Sequence, residues 1–358
     1  MTHDIHQQNK QLIGKLRAAL YDCEEAGLQG CLREVLARDC EVHLAFPLGD
    51  QAGPDALFEQ GYKPLLAAIP DLERRDFIVI GGATNPGESG DSENWVGCAG
   101  FYTGVFEHPW LTIPPTQHVV AMRFHEFFRI EDGKVVELQA LWDIPQVMMQ
   151  AQAWPMTPSL AVEWLVPGPA PQDGIRSGPC DEAQANASIR LVQEMITAMG
   201  KHPREGGPEI MALDRYWHPK LNWYGPAGIG SMRRISGFRN WHQIPFLRAL
   251  PDRSGGGYTV KGLMFGDGNY VAEPGWPNMK ATITGDGWLG IAPANQPITM
   301  CSLDFWRCEN GRIRENWVLV DLLSVYHQIG VDVFSRMREL TYARQGRMQS
   351  GETTRGNR

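Results

Sequence analysis

Two stretches of this sequence repeat each other. Residues 110–150 read WLTIPPTQHVVAMRFHEFFRIEDGKVVELQALWDIPQVMMQ, and residues 288–328 read WLGIAPANQPITMCSLDFWRCENGRIRENWVLVDLLSVYHQ. They align without a gap, with Trp110 opposite Trp288, and 14 of the 41 aligned positions are identical. Self-similarity of this kind indicates repeated structural units. We therefore predict a tandem duplication of one small domain.

The segment between the two copies is dense in proline and glycine, which interrupt helices and strands. Residues 154–180 are therefore predicted to form an extended connector. This places a first domain at residues 1–153 and a second domain at residues 181–340. Residues 341–358 are polar and contain glycine, so we predict a disordered tail there.

Each copy combines helical and strand patterns. Apolar residues recur at helical spacing over 12–36 and 183–199, whereas 119–130 and 134–142 have the patterns of two strands. These strands meet at Asp132-Gly133, and their counterparts meet at Asn310-Gly311, dipeptides that favour a tight type I′ hairpin. Both faces of 134–142 carry apolar residues, so the sheet needs a cover on each side. We predict an α+β fold in which the second copy covers the first as an internal pseudo-dimer.

Composition excludes several classes of protein. The formal net charge is -8 and basic residues are scattered, so nucleic acid is not an expected partner. The sequence has no apolar run of membrane-spanning length and begins with a polar segment, so we expect a cytoplasmic protein without membrane contact. The seven cysteines and ten histidines form no zinc-site motif, so no metal is expected. The twelve tryptophans must be buried in cores, at an interface or around an apolar ligand.

Several motifs of the two copies match a known family. These are Gly100–Gly104 (GFYTG), Ile113–Thr116 (IPPT), Phe127–Glu137 (FFRIEDGKVVE) and, in the second copy, Glu309–Trp317 (ENGRIRENW) with Gln328–Gly330 (QIG). The sequence thereby resembles the SnoaL-like polyketide cyclases. The resemblance implies two cone-shaped domains, each a curved mixed or antiparallel sheet wrapped around N-terminal helices, as in nuclear transport factor 2 and ketosteroid isomerase.

The resemblance also implies a catalytic residue. In the family, an aspartate ten residues after the hairpin glycine is the general acid and base of an intramolecular aldol closure, and Asp143 and Asp321 hold that position here. Burial in an apolar pocket raises the pKa of a carboxyl group, which lets it exchange protons with a carbon acid. The alternative is that both aspartates cap the helices that follow them. The sequence favours Asp321 slightly, because its surroundings are closest to the family pattern.

Other side chains are candidates for holding a substrate. Arg123 and His125 share one face of the strand 119–129 and could bind an oxyanion or relay a proton. For each candidate, ordinary packing or a surface position is the alternative. The remaining candidates lie on an early strand, on a helix or near the end of the second repeat, and they are His43, Asn222, Tyr224, Trp241, His242 and Trp317.

Together these observations predict a cofactor-free enzyme that acts on a hydrophobic, carbonyl-bearing small molecule by proton abstraction. Cyclisation, isomerisation and a lyase step all remain open. The alternative is a non-catalytic protein that holds an apolar metabolite in one or both cones, because this fold hosts many functions. The chain is expected to be a monomeric pseudo-dimer or a homodimer.

Overall fold

Two six-stranded sheets, one in each half of the chain, form the framework of this computed structural model. The structure describes residues 2–84, 92–202, 204–254, 263–285, 288–292 and 294–352. In each sheet one neighbouring pair of strands is parallel and the other pairs are antiparallel, so both sheets are mixed. The helices of each half lie against its own sheet, which gives the predicted α+β fold.

The first domain begins with two helices and continues into the sheet. Its sheet has the order β2-β1-β6-β5-β4-β3, with β1 parallel to β6. A π-helical segment, Leu57–Tyr62, joins two short helices. The elements are α1 (Thr2–Asp22), α2 (Glu25–Val35), β1 (Leu36–Leu44), β2 (Gly49–Ala52), α3 (Gly53–Ala56), α4 (Lys63–Ala68), β3 (Glu73–Ala83), β4 (Asn94–Val105), β5 (Val119–Glu131), β6 (Lys134–Trp142) and α5 (Ile144–Gln150).

The second domain repeats this plan. Its sheet has the order β8-β7-β14-β13-β10-β9, with β7 parallel to β14, and a two-stranded sheet of β11 and β12 is added. A 3-10 turn at Pro208–Met211 and a π-helical segment at Arg239–Gln243 interrupt the helices. The elements are α6 (Glu182–Met199), α7 (Leu213–Tyr216), β7 (Trp217–Tyr224), β8 (Ser231–Arg233), α8 (Arg234–Phe238), α9 (Ile244–Ala249), β9 (Phe265–Asp267), β10 (Tyr270–Glu273), β11 (Met279–Thr282), β12 (Pro297–Met300), β13 (Ser302–Glu309), β14 (Arg312–Val320), α10 (Leu322–Gln328) and α11 (Val333–Glu352).

The sequence repeat and the structural repeat coincide. The first and last residues of β14 align with those of β6, and the ends of α10 align with those of α5 in the same way. The two sheets also have corresponding strand orders. The predicted architecture of two tandem domains is therefore confirmed, whereas their origin by duplication stays a prediction.

The two sheets pack face to face, as the apolar faces of the last strands predicted. A buried cluster between them draws residues from both domains and includes Phe127. The ring of Phe127 packs edge-on against Phe305 at 4.9 Å and against Phe265 at 5.9 Å. At the edge, β3 approaches β9 so closely that a Cβ on Gly82 would lie 2.6 Å from the carbonyl oxygen of Gly266. The two domains thus form the expected internal pseudo-dimer.

Both predicted hairpins have the geometry of type I′ turns. The φ angles are 47° at Asp132 and 73° at Gly133 in the first domain. They are 51° at Asn310 and 71° at Gly311 in the second. Asparagine, aspartate and glycine tolerate this left-handed region, which is why these dipeptides select the turn.

Replacing Gly311 with valine tests the backbone requirement of the second hairpin. A Cβ at Gly311 meets no atom within 4 Å, so the cost comes from the positive φ alone. Gly311→Val is expected to lower the free energy of unfolding by about 1–3 kcal/mol, measured by denaturant titration. Gly311→Asn, which tolerates positive φ, is the control and should cost less. Equal stabilities for the two variants would contradict this explanation.

One sequence-based prediction about helices is corrected. The helical pattern over 12–36 is two helices, because Cys23 has a φ of 37° and breaks the chain between α1 and α2. Residues 341–352 continue α11, a stretch without proline that is rich in good helix formers such as arginine, methionine and glutamine, and the disorder expected for the tail stays a prediction. Residues 353–358 lie outside the described residues. No helix of the described part of the chain is long and apolar enough to cross a membrane.

Candidate functional site

A cavity of about 140 Å³ lies inside the second cone, between its helices and the concave face of its sheet. Its walls are mainly aromatic rings, methionine thioethers and aliphatic groups, with a small set of polar side chains among them. The apolar lining residues are Met195, Ile196, Met199, Trp217, Trp223, Phe238, Phe246, Met279, Met300, Trp306, Val318 and Val320. The polar ones are His242, Glu273, Asn278, Ser302, Asp304 and Asn316.

Two carboxyl groups face each other in this cavity. Glu273 on β10 is the direct cross-strand partner of Asp304 on β13, and both line the cavity. Residues opposite each other on antiparallel strands have Cβ atoms about 4.5–5.5 Å apart. Burial, and next the negative charge of Glu273, raise the pKa of Asp304 well above its usual range. Two like charges this close disfavour joint ionisation, which favours the protonated form of one member of the pair.

One carboxyl oxygen of Asp304 lacks a hydrogen bond from the protein itself. Its Oδ1 atom is buried and has no hydrogen-bond partner among the described residues. An unpartnered carboxyl oxygen in an apolar environment is costly, because its desolvation is not offset by a hydrogen bond. Such an atom is typical of a site where a ligand supplies the missing partner.

His242 forms part of the opposite wall and is uncharged. Its ring stacks on Trp223 at 4.4 Å with an interplanar angle of 20°, and it lies 5.4 Å from Phe246. Burial lowers the pKa of His242 to about 3, so the imidazole is neutral in the physiological range. Its Nδ1 atom is buried without a partner, as are the indole nitrogens of Trp217 and Trp306 in the same cavity. The cavity therefore offers several polar atoms that no described protein group satisfies.

In the first cone, which we call the filled cone, buried side chains of the domain itself surround the corresponding acid. Glu126 aligns with Asp304 in the repeat and holds the corresponding place on β5. It receives hydrogen bonds from Arg74 at 2.5 Å, Tyr102 at 2.8 Å and Trp142 at 3.0 Å. Arg74 is fully buried and also pairs with Asp76 at 2.9 Å. Glu126 in the first cone thus has an arginine counter-charge and several hydrogen-bond donors, whereas Oδ1 of its counterpart Asp304 has no described partner.

Two size changes account for the difference between the cones. Phe124 and Trp142 are both buried in the first core, and their aligned counterparts in the second repeat are Ser302 and Val320. Ser302 and Val320 both line the cavity. The replacement of two aromatic rings by small side chains removes the groups that would otherwise occupy the second cone.

The two predicted catalytic aspartates lie at the domain interface and not among the cavity-lining residues. Asp321 Oδ1 accepts from Ser324 N at 3.0 Å as a helix N-cap, and its Oδ2 accepts from Phe46 N of the other domain at 2.8 Å. Asp143 Oδ2 accepts from Ala227 N at 3.0 Å, and its side chain makes no cap bond. Burial raises the pKa of both to about 6. Their contacts are reciprocal between the domains, which fits a structural role.

Arg123 and His125 also point across the domain interface, and neither is among the residues that line the cavity of the second cone. Arg123 Nη2 donates to Gly225 O at 2.6 Å and to Val318 O at 3.0 Å. His125 is held by a 2.6 Å bond between its Nδ1 and Leu303 O, and since a carbonyl can only accept, Nδ1 carries the proton. Both side chains are essentially inaccessible to solvent. Neither is placed to contact a ligand in the second cone.

Of the other predicted residues, only His242 lines the cavity. Trp241, its neighbour, is 52% exposed. His43 pairs with Asp50 at 2.7 Å and stacks on Trp276 of the second domain at 5.7 Å. The three others contribute to the sheet or to the interface: Asn222 pairs with Glu315 across β7 and β14, Tyr224 donates to Glu315 Oε1 at 3.2 Å, and Trp317 donates to Pro167 O at 3.0 Å.

Sequence reasoning missed the acid pair. The repeat does carry a signal, because an acidic residue stands at position 126 in the first copy and at 304 in the second, each directly followed by a phenylalanine in the middle of a strand. An acid in such a strand is a costly feature that calls for a partner or a function. Among the described residues, no group of three or more histidine, cysteine, aspartate or glutamate side chains could hold a metal ion.

The part of the chain that forms this site matches a known family of proteins. Residues 209–329 match the family model described as SnoaL-like polyketide cyclase, and this stretch includes most of the cavity wall. The resemblance inferred from the sequence is thus confirmed for the second domain. The curated proteins include no match to the chain.

Similar solved structures each correspond to about two fifths of the chain. A SnoaL-like polyketide cyclase candidate from Jannaschia sp. CCS1 is 21% identical, covers 40% of this chain and 92% of its own, and has a TM-score of 0.34. IdmH, a polyketide cyclase candidate from Streptomyces antibioticus, is 21% identical over 40% and 99%, with a TM-score of 0.33. AclR, a hydroxylase candidate from Streptomyces galilaeus, is 19% identical over 41% and 86%, with a TM-score of 0.32.

Proposed function

We propose that the second cone is a proton-transfer site for a small, hydrophobic, carbonyl-bearing molecule, with Glu273 and Asp304 as its acid and base. The observation that carries the proposal is the cross-strand pairing of these two acids inside an aromatic cavity, with Asp304 Oδ1 buried and unpartnered. The family match of residues 209–329 supports a reaction of the cyclase type. The pocket supplies this chemistry from side chains alone, without a cofactor in any step.

The different environments of the two acids suggest their roles. Asp304, whose pKa is raised, holds the shared proton and donates a hydrogen bond to the carbonyl oxygen of the substrate. Glu273, as a carboxylate, removes the proton from the adjacent carbon. The electron pair of the broken C–H bond moves into the carbonyl group, and the resulting enolate oxygen is stabilised by Asp304.

The fate of the enolate decides the overall reaction. Attack of the enolate carbon on a second carbonyl of the same molecule closes a ring, and Asp304 then protonates the alkoxide that forms. Return of the proton from Glu273 to a different carbon gives an isomer. His242 and the indole N–H groups of Trp217 and Trp306 remain available to bind a further polar group of the substrate. The walls would hold the substrate's planar part by stacking.

Exchange of carbon-bound protons tests the proposal without knowledge of the natural substrate. Acetophenone, a neutral aryl ketone, is incubated with the protein in D₂O, and loss of its methyl proton signal is followed by NMR. Glu273→Gln is expected to slow the exchange by about 10²–10⁴-fold, because the base is lost. Asp321→Asn tests the aspartate that the sequence suggested as the catalytic residue. This variant should catalyse the exchange at the wild-type rate.

Three other outcomes contradict the proposal. If Asp321→Asn or Asp143→Asn stops exchange and Glu273→Gln does not, the acid–base role belongs to an interface aspartate, as the sequence suggested. If wild type binds acetophenone but exchanges none of its protons, the cone serves binding alone. If benzoate binds as well as acetophenone, the acid pair does not act on the ligand, because a buried carboxyl pair should repel an anion.

A further inference from the structure

Three polar side chains of the first domain hold the backbone of the segments that carry the second cone's site. His125 donates to Leu303 O at 2.6 Å, and Leu303 directly precedes Asp304. Arg123 donates to the carbonyl oxygen of Val318, a cavity-lining residue of β14, at 3.0 Å. Gln139 Oε1 accepts from Gly275 N at 2.8 Å, two residues after Glu273.

These contacts are one-sided. The counterparts of Arg123, His125 and Gln139 in the second domain are Cys301, Leu303 and Trp317. Leu303 has no polar side-chain atom, and Trp317 donates to the connector and not to the first domain. By contrast, the contacts of Asp143 and Asp321 are present in both directions. One further contact runs the other way, since Asp267 Oδ2 of the second domain accepts from Gly81 N of the first at 3.3 Å, but Gly81 lies at the sheet edge and not at the cavity. The contacts made to the backbone beside the cavity-lining residues Glu273, Asp304 and Val318 come from the first domain.

We infer that the first domain is a positioning unit for the site in the second, and that His125 is its main positioning residue. The inference rests on the proposed function of Glu273 and Asp304. His125 fixes the carbonyl of Leu303 and thereby the place on β13 from which Asp304 projects toward Glu273. Arg123 and Gln139 hold β14 and the segment after β10 in the same way.

The chemistry of the His125 contact suits a permanent clamp. Burial, and next the positive charge of Arg123, lower the pKa of His125 well below its usual range, so the ring stays neutral. A neutral imidazole with its proton on Nδ1 keeps donating to Leu303 O throughout the physiological range. The edge of the ring packs against Phe305 at 5.2 Å, which fixes its orientation. Small displacements of a catalytic group can cost a large factor in rate, so this contact affects turnover.

A pair of His125 variants tests the inference. His125→Leu removes the donor, whereas the amide nitrogen of Asn in His125→Asn can replace Nδ1. In the acetophenone exchange assay, His125→Leu is expected to lower kcat about 10-fold or more with less than about a threefold change in KM, and to shift the pH profile of exchange. His125→Asn should recover most of the rate. Hydrogen exchange of backbone amides in 302–309, measured by mass spectrometry, should accelerate only in His125→Leu.

Lys10→Met is the matched control for a weakened interface. Lys10 pairs with Asp267 of the second domain at 2.7 Å, and both are buried, but neither lines the cavity. At a temperature where Lys10→Met and His125→Leu are both folded, Lys10→Met should keep the wild-type kcat and pH profile. An equal loss of kcat in Lys10→Met would overturn the inference, since cohesion would then explain the effect.

Failure of the inference and failure of the proposed function give different results. If His125→Leu keeps the wild-type kcat and pH profile while Glu273→Gln is inactive, the inference is wrong but the proposed function stands. A wild-type protein that exchanges no protons of bound acetophenone would overturn the proposed function and the inference with it. Loss of rate in both His125→Leu and His125→Asn, without faster amide exchange in 302–309, would also count against a positioning role.

Discussion

Asp304→Asn is expected to slow α-proton exchange of acetophenone by about 10²–10⁴-fold. Asparagine has nearly the same shape as aspartate but cannot hold the proton that the pair shares. The loss should appear mainly in kcat, because the ketone still fits between the aromatic walls. The exchange rate and the KM of both proteins are measured by NMR in D₂O over a range of ketone concentrations.

The same substitution is expected to stabilise the protein at alkaline pH. The pKa of Asp304 is raised on folding, so its contribution to stability is fully present below the unfolded value and is lost as the pH rises through the folded value. The asparagine side chain does not ionise and has no such loss, so the variant should have the higher melting temperature near pH 8. The difference is expected to narrow as the pH is lowered from about 8 towards 4.

Glu126→Gln provides the control for Asp304→Asn, because it makes an equivalent change at the corresponding place in the filled cone. It should keep the wild-type exchange rate and lower the melting temperature, since Glu126 is the satisfied partner of a buried arginine. If Asp304→Asn retains full exchange, or if it is less stable than wild type near pH 8, the assignment of Asp304 is wrong.

The second large effect concerns the filled cone. Arg74→Met leaves the buried carboxylates of Glu126 and Asp76 without their main partner, although Arg17 also contacts Asp76 at 2.8 Å. Breaking one side of a buried ion pair typically costs about 3–5 kcal/mol of unfolding free energy. We expect a loss of that size for Arg74→Met by denaturant titration, with kcat for acetophenone unchanged wherever the variant is folded.

A double variant separates the ion pair from simple packing. Arg74→Met with Glu126→Gln removes one of the two stranded charges, so it should be more stable than Arg74→Met alone. Tyr102 and Trp142 can still donate to the amide oxygen of the glutamine. A loss below about 1 kcal/mol for Arg74→Met would mean that the network contributes little.

The fold could be predicted from the sequence because its signals are local. The gapless internal repeat, the turn dipeptides at 132–133 and 310–311, and the strand 134–142 with its two apolar faces all relate near neighbours or an internal copy. These signals can therefore be recognised in the sequence without knowledge of the packing. Even so, the break at Cys23 was missed, since a helical pattern does not show where the chain turns.

The site could be predicted only in outline, for a physical reason. In β5 and β13 both faces of the strand are buried, one against the domain's own helices and one against the other sheet. Arg123 and His125 alternate with Glu126, and the sequence does not indicate which face is turned toward the cavity. The polar face of Arg123 and His125 was chosen as the substrate face, but it belongs to the interface. Only the packing shows that Asp304 lines the cavity, whereas Asp321 lies at the domain interface.

The filling of one cone has a consequence for how such a protein can change. In a symmetric homodimer every substitution appears twice, so a residue that closes one pocket closes both. The restriction does not apply to two such domains in one chain, because Phe124 and Ser302 are separate positions in the sequence. One half can then accumulate stabilising contacts while the other tolerates the unfavourable polar atoms that a reaction requires. In a single polypeptide of this kind, one domain can therefore contribute stability while the other contributes the reactive site.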